Sequence, residues 1–123
     1  MIVAIQGERG SYSDEAALKF FCGYNPLSKR FLEEVFDSVT SGEADYGVIP
    51  VENSTTGSIR KSLDLLLESD VKVVGEVKVR VRHTLLGVKG ARLEDIEVVY
   101  SHPEAISQCE GFLKSRDWAV IPS

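Results

Sequence analysis

The sequence predicts an α/β fold in which mostly parallel strands are layered with helices. Three observations carry this. Short apolar runs at Ile2 to Ile5, Tyr46 to Val51 and Ile96 to Tyr100 have the length and content of buried strands. Between them, apolar residues recur at the spacing of amphipathic helices. Strands and helices alternate along the whole chain, the order that builds parallel sheets covered by helices.

The elements follow in order. Ile2 to Ile5 reads as the first strand, and Gly7-Glu8-Arg9-Gly10-Ser11 as turn chemistry. From Tyr12 a helix carries Ala16, Ala17, Phe20 and Phe21 on one face, with Asp14 and Glu15 in its first turn, where the helix dipole favours acids. Asn25-Pro26 ends that unit. A weak strand is expected near Phe31, then a short helix over Val35 to Val39 stopped by Gly42. Tyr46 to Val51 is the second clear strand. Ile59, Leu63, Leu66 and Leu67 repeat at i, i+4, i+7 and i+8, which predicts a helix with a core face. Val77, Val79 and Val81 alternate with Lys78, Arg80 and Arg82, which predicts a half-exposed strand with His83 on its valine side. Ile96 to Tyr100 is a further strand. Pro103 opens a helix bearing Ile106, Cys109 and Leu113, and Trp118 to Ile121 closes the pattern as a strand. The alternation then stops at Pro122-Ser123 without a helix to cover that strand.

Composition bounds the function. A chain of 123 residues fits one domain of common size and needs no disulfides to bury a core. The longest apolar runs are too short to span a membrane. Met1 to Ile5 has neither the length nor the basic leader of an export signal. A net charge of −5 argues against general nucleic-acid binding, yet permits a small anion held by helix N-termini. Cys22 and Cys109 form no metal-ligand spacing and are expected as small core residues in a reducing cytoplasm. No cofactor or metal motif is present.

Three strand-to-helix connections share one character: Gly7 to Ser13, Glu52 to Ser58, and Ser101-His102-Pro103. Each follows the carboxyl end of a predicted strand, the edge at which open α/β sheets bind ligands. Each combines hydroxyls with the backbone N–H groups of a helix start, which suits carboxylate or phosphate. The plainer reading is helix capping, and Ser101-x-x-Glu104 fits a capping box. Glu52-Asn53 exceeds what a cap needs. His83 is expected as a hydrogen-bonded core histidine, and His102 either as the cap itself or as a ligand contact. The Lys78, Arg80 and Arg82 stripe reads as a solvated strand face.

At these loops the sequence resembles the prephenate dehydratases. Gly7-Glu8-Arg9-Gly10-Ser11-Tyr12-Ser13 is similar to that family's Gly-Pro-x-Gly-[Ser/Thr]-[Tyr/Phe]-[Ser/Thr] turn, with Glu8 in place of proline. Pro50-Val51-Glu52-Asn53-Ser54-Thr55-Thr56-Gly57 matches its Pro-[Ile/Val]-Glu-Asn-Ser-x-x-Gly stretch, and Ser101 through Cys109 its Ser-His-Pro-x-Ala-x-x-Gln-Cys run. His83-Thr84-Leu85 falls at the family's His-x-Leu element. The resemblance implies a two-lobed fold of the type II periplasmic-binding-protein kind. Residues 1–76 would form the first lobe and 77–123 part of the second, leaving the fold incomplete at the C-terminus.

The resemblance also implies the chemistry. Prephenate, a small molecule with two carboxylates, a ketone and a ring hydroxyl, would lose carbon dioxide and water to give phenylpyruvate in phenylalanine biosynthesis, and the protein would be cytoplasmic. No cofactor is implied. Asn53, Ser101 and Gln108 would contact the substrate, with Ser11, Ser54, Thr55 and Gly57 lining the cleft. The family's Thr-Arg-Phe motif, whose threonine is the favoured proton donor, does not occur in this sequence, nor does an ACT regulatory domain. The catalytic residue is therefore unassigned, and the chain alone is expected not to turn substrate over. Arogenate dehydration, and a small-carboxylate binding module without turnover, stand as alternatives. The uncovered final strand leads to the expectation of a homo-oligomer, with no nucleic-acid or membrane partner; more than one chain per particle in light scattering checks it.

Overall fold

The computed structural model covers residues 1–123 and describes all of them except residue 56. The chain divides into two compact units, Met1–Val81 and Arg82–Ser123.

The first unit is built on β1 (Ile2–Gln6), which pairs in parallel with β2 (Asn25–Lys29) on one side and β3 (Tyr46–Val48) on the other. Helix α1 (Tyr12–Phe20) connects β1 to β2, and α2 (Leu32–Thr40) carries the chain past β1 to β3. Val3, Ala4 and Ile5 have no exposed surface. Because side chains alternate along a strand, they feed two cores. Val3 and Ile5 pack with Ala17 of α1, joined by Phe21, Tyr24 and Val48. Ala4 packs with Val35 of α2 and Ala44, joined by Leu27, Val39 and Ile49. On that second face β3 contributes Gly47, where a Cβ would stand 3.0 Å from Val35 Cγ1 and 3.1 Å from Val39 Cγ2. The small pair Ala4 and Gly47 thus lets α2 lie close to the sheet.

Several elements depart from what the sequence pattern predicts. The second strand is Asn25–Lys29, not a segment near Phe31, which instead precedes α2 and donates its N–H to Glu34 Oε1 at 3.0 Å. Pro26 lies inside β2, tolerated because β2 is an edge strand whose missing donor breaks no second ladder. The strand expected to reach Val51 pairs only over Tyr46–Val48. A hairpin follows, β4 (Glu52–Asn53) against β5 (Gly57–Ser58), and then α3 (Arg60–Glu68). On α3 it is Ser62 that is buried, while Leu63 is 41% exposed, so Leu63 is not a core residue. Residues 71–88 form no strand. Val77 and Val79 are half-buried and Lys78 and Arg80 exposed, so the alternation of faces holds over those four residues, but Val81 is exposed. An alternating pattern sets faces, but a strand exists only where a neighbour completes its ladder.

In the second unit β6 (Val98–Ser101) pairs in parallel with β7 (Ala119–Pro122). They are joined by α4 (Pro103–Gln108) and α5 (Glu110–Lys114), one predicted helix that breaks at Cys109, whose φ is −103° and ψ 14°. Arg116 lies over the rings of Phe112 and Trp118 at 5.2 and 5.5 Å. His83 is exposed, which overturns its placement in a core. Cys22 is exposed and Cys109 half-buried, so neither is the core cysteine expected.

Val35→Ala should lower stability by about 2 kcal/mol in urea unfolding, because a fully packed site cannot collapse around lost methyls. Leu63→Ala, on a half-exposed position, should cost less than about 1 kcal/mol in the same measurement.

Candidate functional site

The order β2-β1-β3 creates a topological switch. From β1 the chain turns to one side through α1, and it later returns to the other side through α2. The connections leaving the carboxyl ends of β1 and β3 therefore diverge, the arrangement at which open α/β sheets receive ligands. The first two motif loops sit on those two strand ends.

The loop after β1 is held by its own chemistry. Gly7 and Gly10 have φ of 105° and 92°, conformations that side chains rarely adopt. Ser11 caps α1, its Oγ accepting from Asp14 N at 3.2 Å, which leaves its hydroxyl hydrogen to donate elsewhere. Asp14 is only 4% exposed and accepts from Gly10 N at 2.9 Å and from the Tyr24 hydroxyl. The Tyr24 and Gly10 hydrogen bonds, with the nearby Arg9 guanidinium, hold the Asp14 carboxyl below its ordinary 3.8 despite burial. Burial and the same hydrogen bond push Tyr24 up to about 12. Arg9 lies over the Tyr24 ring at 5.6 Å.

The second loop differs from expectation. Helix α3 is preceded by Ile59, which makes no side-chain cap. The hydroxyl-rich segment is instead the turn of the β4–β5 hairpin. Asn53 Oδ1 accepts from Thr55 N at 2.8 Å, an Asx turn, and Gly57 has φ of 82°. Ser54 and Thr55 are exposed at the tip. Thr56 of the motif lies outside the described residues. The hairpin base is pinned twice: Ile59 N donates to Val51 O at 2.9 Å, and buried Ser62 Oγ donates to Pro50 O at 2.5 Å.

In the second unit Ser101 ends β6, half-buried, with its carbonyl accepting from Ser123 N at 2.8 Å. The cap of α4 is His102, whose Nδ1 accepts from Glu104 N at 3.1 Å, so Ser101 does not form the expected capping box. Gln108 closes α4. Its Oε1 meets His83 Nε2, and its Nε2 donates to Glu104 Oε1 at 3.4 Å.

Ser11 and the turn of Asn53, Ser54, Thr55 and Gly57 thus leave one edge of the first unit's sheet, and Ser101 and Gln108 share β6 and α4. Sequence reasoning missed Asp14 and Tyr24 as the clamp of the first loop. Asp14 carried only a helix-dipole signal, and nothing in sequence tied Tyr24 to it. The described residues hold no group of His, Cys, Asp or Glu able to bind a metal ion.

A family model for prephenate dehydratase matches residues 3–123. This chain belongs to the prephenate dehydratase family. It is 43% identical over 111 residues to arogenate dehydratase/prephenate dehydratase 2, chloroplastic, of Arabidopsis thaliana, covering 90% of this chain and 29% of that protein. The prephenate dehydratase of Staphylococcus aureus subsp. aureus Mu50 superposes on 100% of this chain and 47% of its own, with a TM-score of 0.83 and 28% identity. GqqA, described as a novel type of quorum quenching acylase, superposes with a TM-score of 0.82 and 31% identity, over 100% of this chain and 45% of its own. The chain spans less than a third of the length of such curated relatives. The fold is the periplasmic-binding-protein-like α/β fold of prephenate dehydratases, as the motifs led one to expect. No helix among the described residues is long and apolar enough to cross a membrane.

The Asp14–Tyr24 pair should leave a signature at both ends of the pH scale. A depressed carboxyl stabilises the fold above its ordinary 3.8 and loses that contribution as pH falls through the lower native value. A raised phenol stabilises below its ordinary 10.0 and loses it as pH climbs toward about 12. Tyr24→Phe should cost about 1 kcal/mol at neutral pH and flatten both limbs in urea melts taken across pH.

Proposed function

We propose that this chain recognises prephenate and supplies the carboxylate-holding part of a prephenate dehydratase site, a lyase of phenylalanine biosynthesis. One observation supports this above the others: the family's two first-unit motifs fall on either side of the β1/β3 switch point, where an α/β sheet receives its ligand. The reaction expels carbon dioxide from the ring carboxylate and water from C4, and formation of the aromatic ring drives it. The protein's task is then to fix two carboxylates and supply a proton to the departing hydroxyl.

The residues suit the first part of that task. Ser11 offers a hydroxyl hydrogen. Asn53, whose Oδ1 is committed to the turn, would present Nδ2 to a carboxylate. Ser54, Thr55 and the backbone at Gly57 would complete that wall. Within the second unit, Ser101 and Gln108 carry hydrogen-bond donors of their own that would serve a carboxylate; residues 1–76 would be the first lobe and 77–123 part of the second. None of these roles needs a cofactor. Free Cys22 and Cys109 fit a cytoplasmic setting. Self-association is part of the same reading, supported by Tyr100, Phe112 and Ile121 at 66, 48 and 40% exposure in the second unit.

A second substrate has an observation of its own. The Arabidopsis thaliana relative is named for arogenate as well as prephenate. Arogenate carries an amine in place of the ketone and keeps both carboxylates, so the donors named above serve either molecule. Calorimetric titration of the chain with prephenate, and in parallel with arogenate, separates the two. Prephenate should bind. Asn53→Ala should weaken it about tenfold or more, the value of a hydrogen bond to a charged group, with little change in melting temperature. Absence of binding by both compounds overturns the proposal.

A further inference from the structure

Gln108 is flanked by two groups that agree on how its carboxamide must sit. His83 lies in residues 71–88, which form neither helix nor strand, yet its Nε2 meets Gln108 Oε1. An amide oxygen only accepts, so this contact requires a hydrogen on Nε2. One helical turn before Gln108, Glu104 Oε1 accepts from Gln108 Nε2 at 3.4 Å. Rotating the carboxamide by half a turn would set its oxygen against the Glu104 carboxylate, acceptor against acceptor. Glu104 therefore sets the amide, and the oxygen turned toward His83 selects the imidazole tautomer with its hydrogen on Nε2. That N–H then adds a second hold on the same amide orientation.

We propose that His83 is a positioning residue: it holds the Gln108 carboxamide oxygen toward the imidazole, so that Nε2, after serving Glu104, presents its second hydrogen to a carboxylate of the ligand. This rests on the reading above in which Gln108 contacts the substrate. It gives the exposed His83 a task that does not involve touching the substrate. The predicted core placement of His83 offered no such link, because residues 83 and 108 are joined only by the folding of the second unit.

The test is prephenate binding by the purified chain, followed by calorimetry, in four variants. His83→Phe keeps a flat ring without a donor and should weaken binding about three- to tenfold, the worth of one neutral hydrogen bond. His83→Gln places an amide N–H at similar reach and should restore affinity to within about twofold, since the donor and not the ring is what counts. In a Gln108→Ala background, His83→Phe should add no further loss. Loss in His83→Phe that His83→Gln leaves unrepaired, or that persists without Gln108, would mean a merely structural role and overturn the proposal. Wild-type affinity in His83→Phe beside weak binding in Gln108→Ala overturns it while leaving the site intact. Undiminished binding in Gln108→Ala, or none in the unaltered chain, removes the reading on which it stands.

Discussion

Pairing on both sides of β1 is the constraint from which the first unit follows. Pairing on both sides closes the strand's edges, and the crossover helices that parallel pairing requires cover both its faces, so its residues must be apolar without alternation. Ile2-Val3-Ala4-Ile5 satisfies this, and Val3, Ala4 and Ile5 are wholly buried. Their opposite directions then demand a helix on each face: α1 meets Val3 and Ile5 through Ala17, and α2 meets Ala4 through Val35. Two helices on two faces require the chain to leave β1 one way and return the other. That reversal makes β1 and β3 the switch point of the sheet.

The motif glycines belong to this geometry as much as to any ligand. Gly7 and Gly10 permit a turn tight enough to bring Gly10 N onto the Asp14 carboxylate. Asp14 in turn is anchored by Tyr24, which lies against the core of Val3, Ile5 and Ala17. The loop that carries Ser11 is thereby tied to the hydrophobic interior through one buried acid. The β4–β5 hairpin has a different anchor, the Ser62 hydroxyl on the Pro50 carbonyl. Each loop is thus fixed from beneath by a buried side chain.

The second unit is organised differently. Its β6–β7 pair is parallel, but helices α4 and α5 contain no buried residue. Side-chain contacts at its surface, among them Arg116 over Phe112 and Trp118, take the place of a deep core. The contrast explains why the sequence was less informative there. A fully buried element leaves a strong apolar pattern, whereas half-buried elements leave patterns that several structures satisfy.

What the sequence determined by itself was local and periodic. The apolar run of β1, the first-turn acids of α1, the stop of α2 at Gly42 and the His102-Pro103 start of α4 could all be read from neighbouring residues; on α1 the expected face held at Ala16 and Ala17, while Phe20 is exposed. So could family membership, which rests on short motifs in fixed order. Tertiary structure decided the rest. Val77 to Val81 has a strand's alternation in sequence but no ladder neighbour, and pairing depends on residues far away in the chain. Pro26 belongs to a strand because β2 lies at an edge, a fact that emerges only once β1 has chosen its partners. Glu52 to Ser58 became a hairpin because Asn53 could turn onto Thr55 N, while α3 took its start from Ile59. His83 met Gln108 across 25 residues. Periodicity records which side of an element is dry; hydrogen bonds between distant side chains leave no periodic trace, and only the folded chain brings them together.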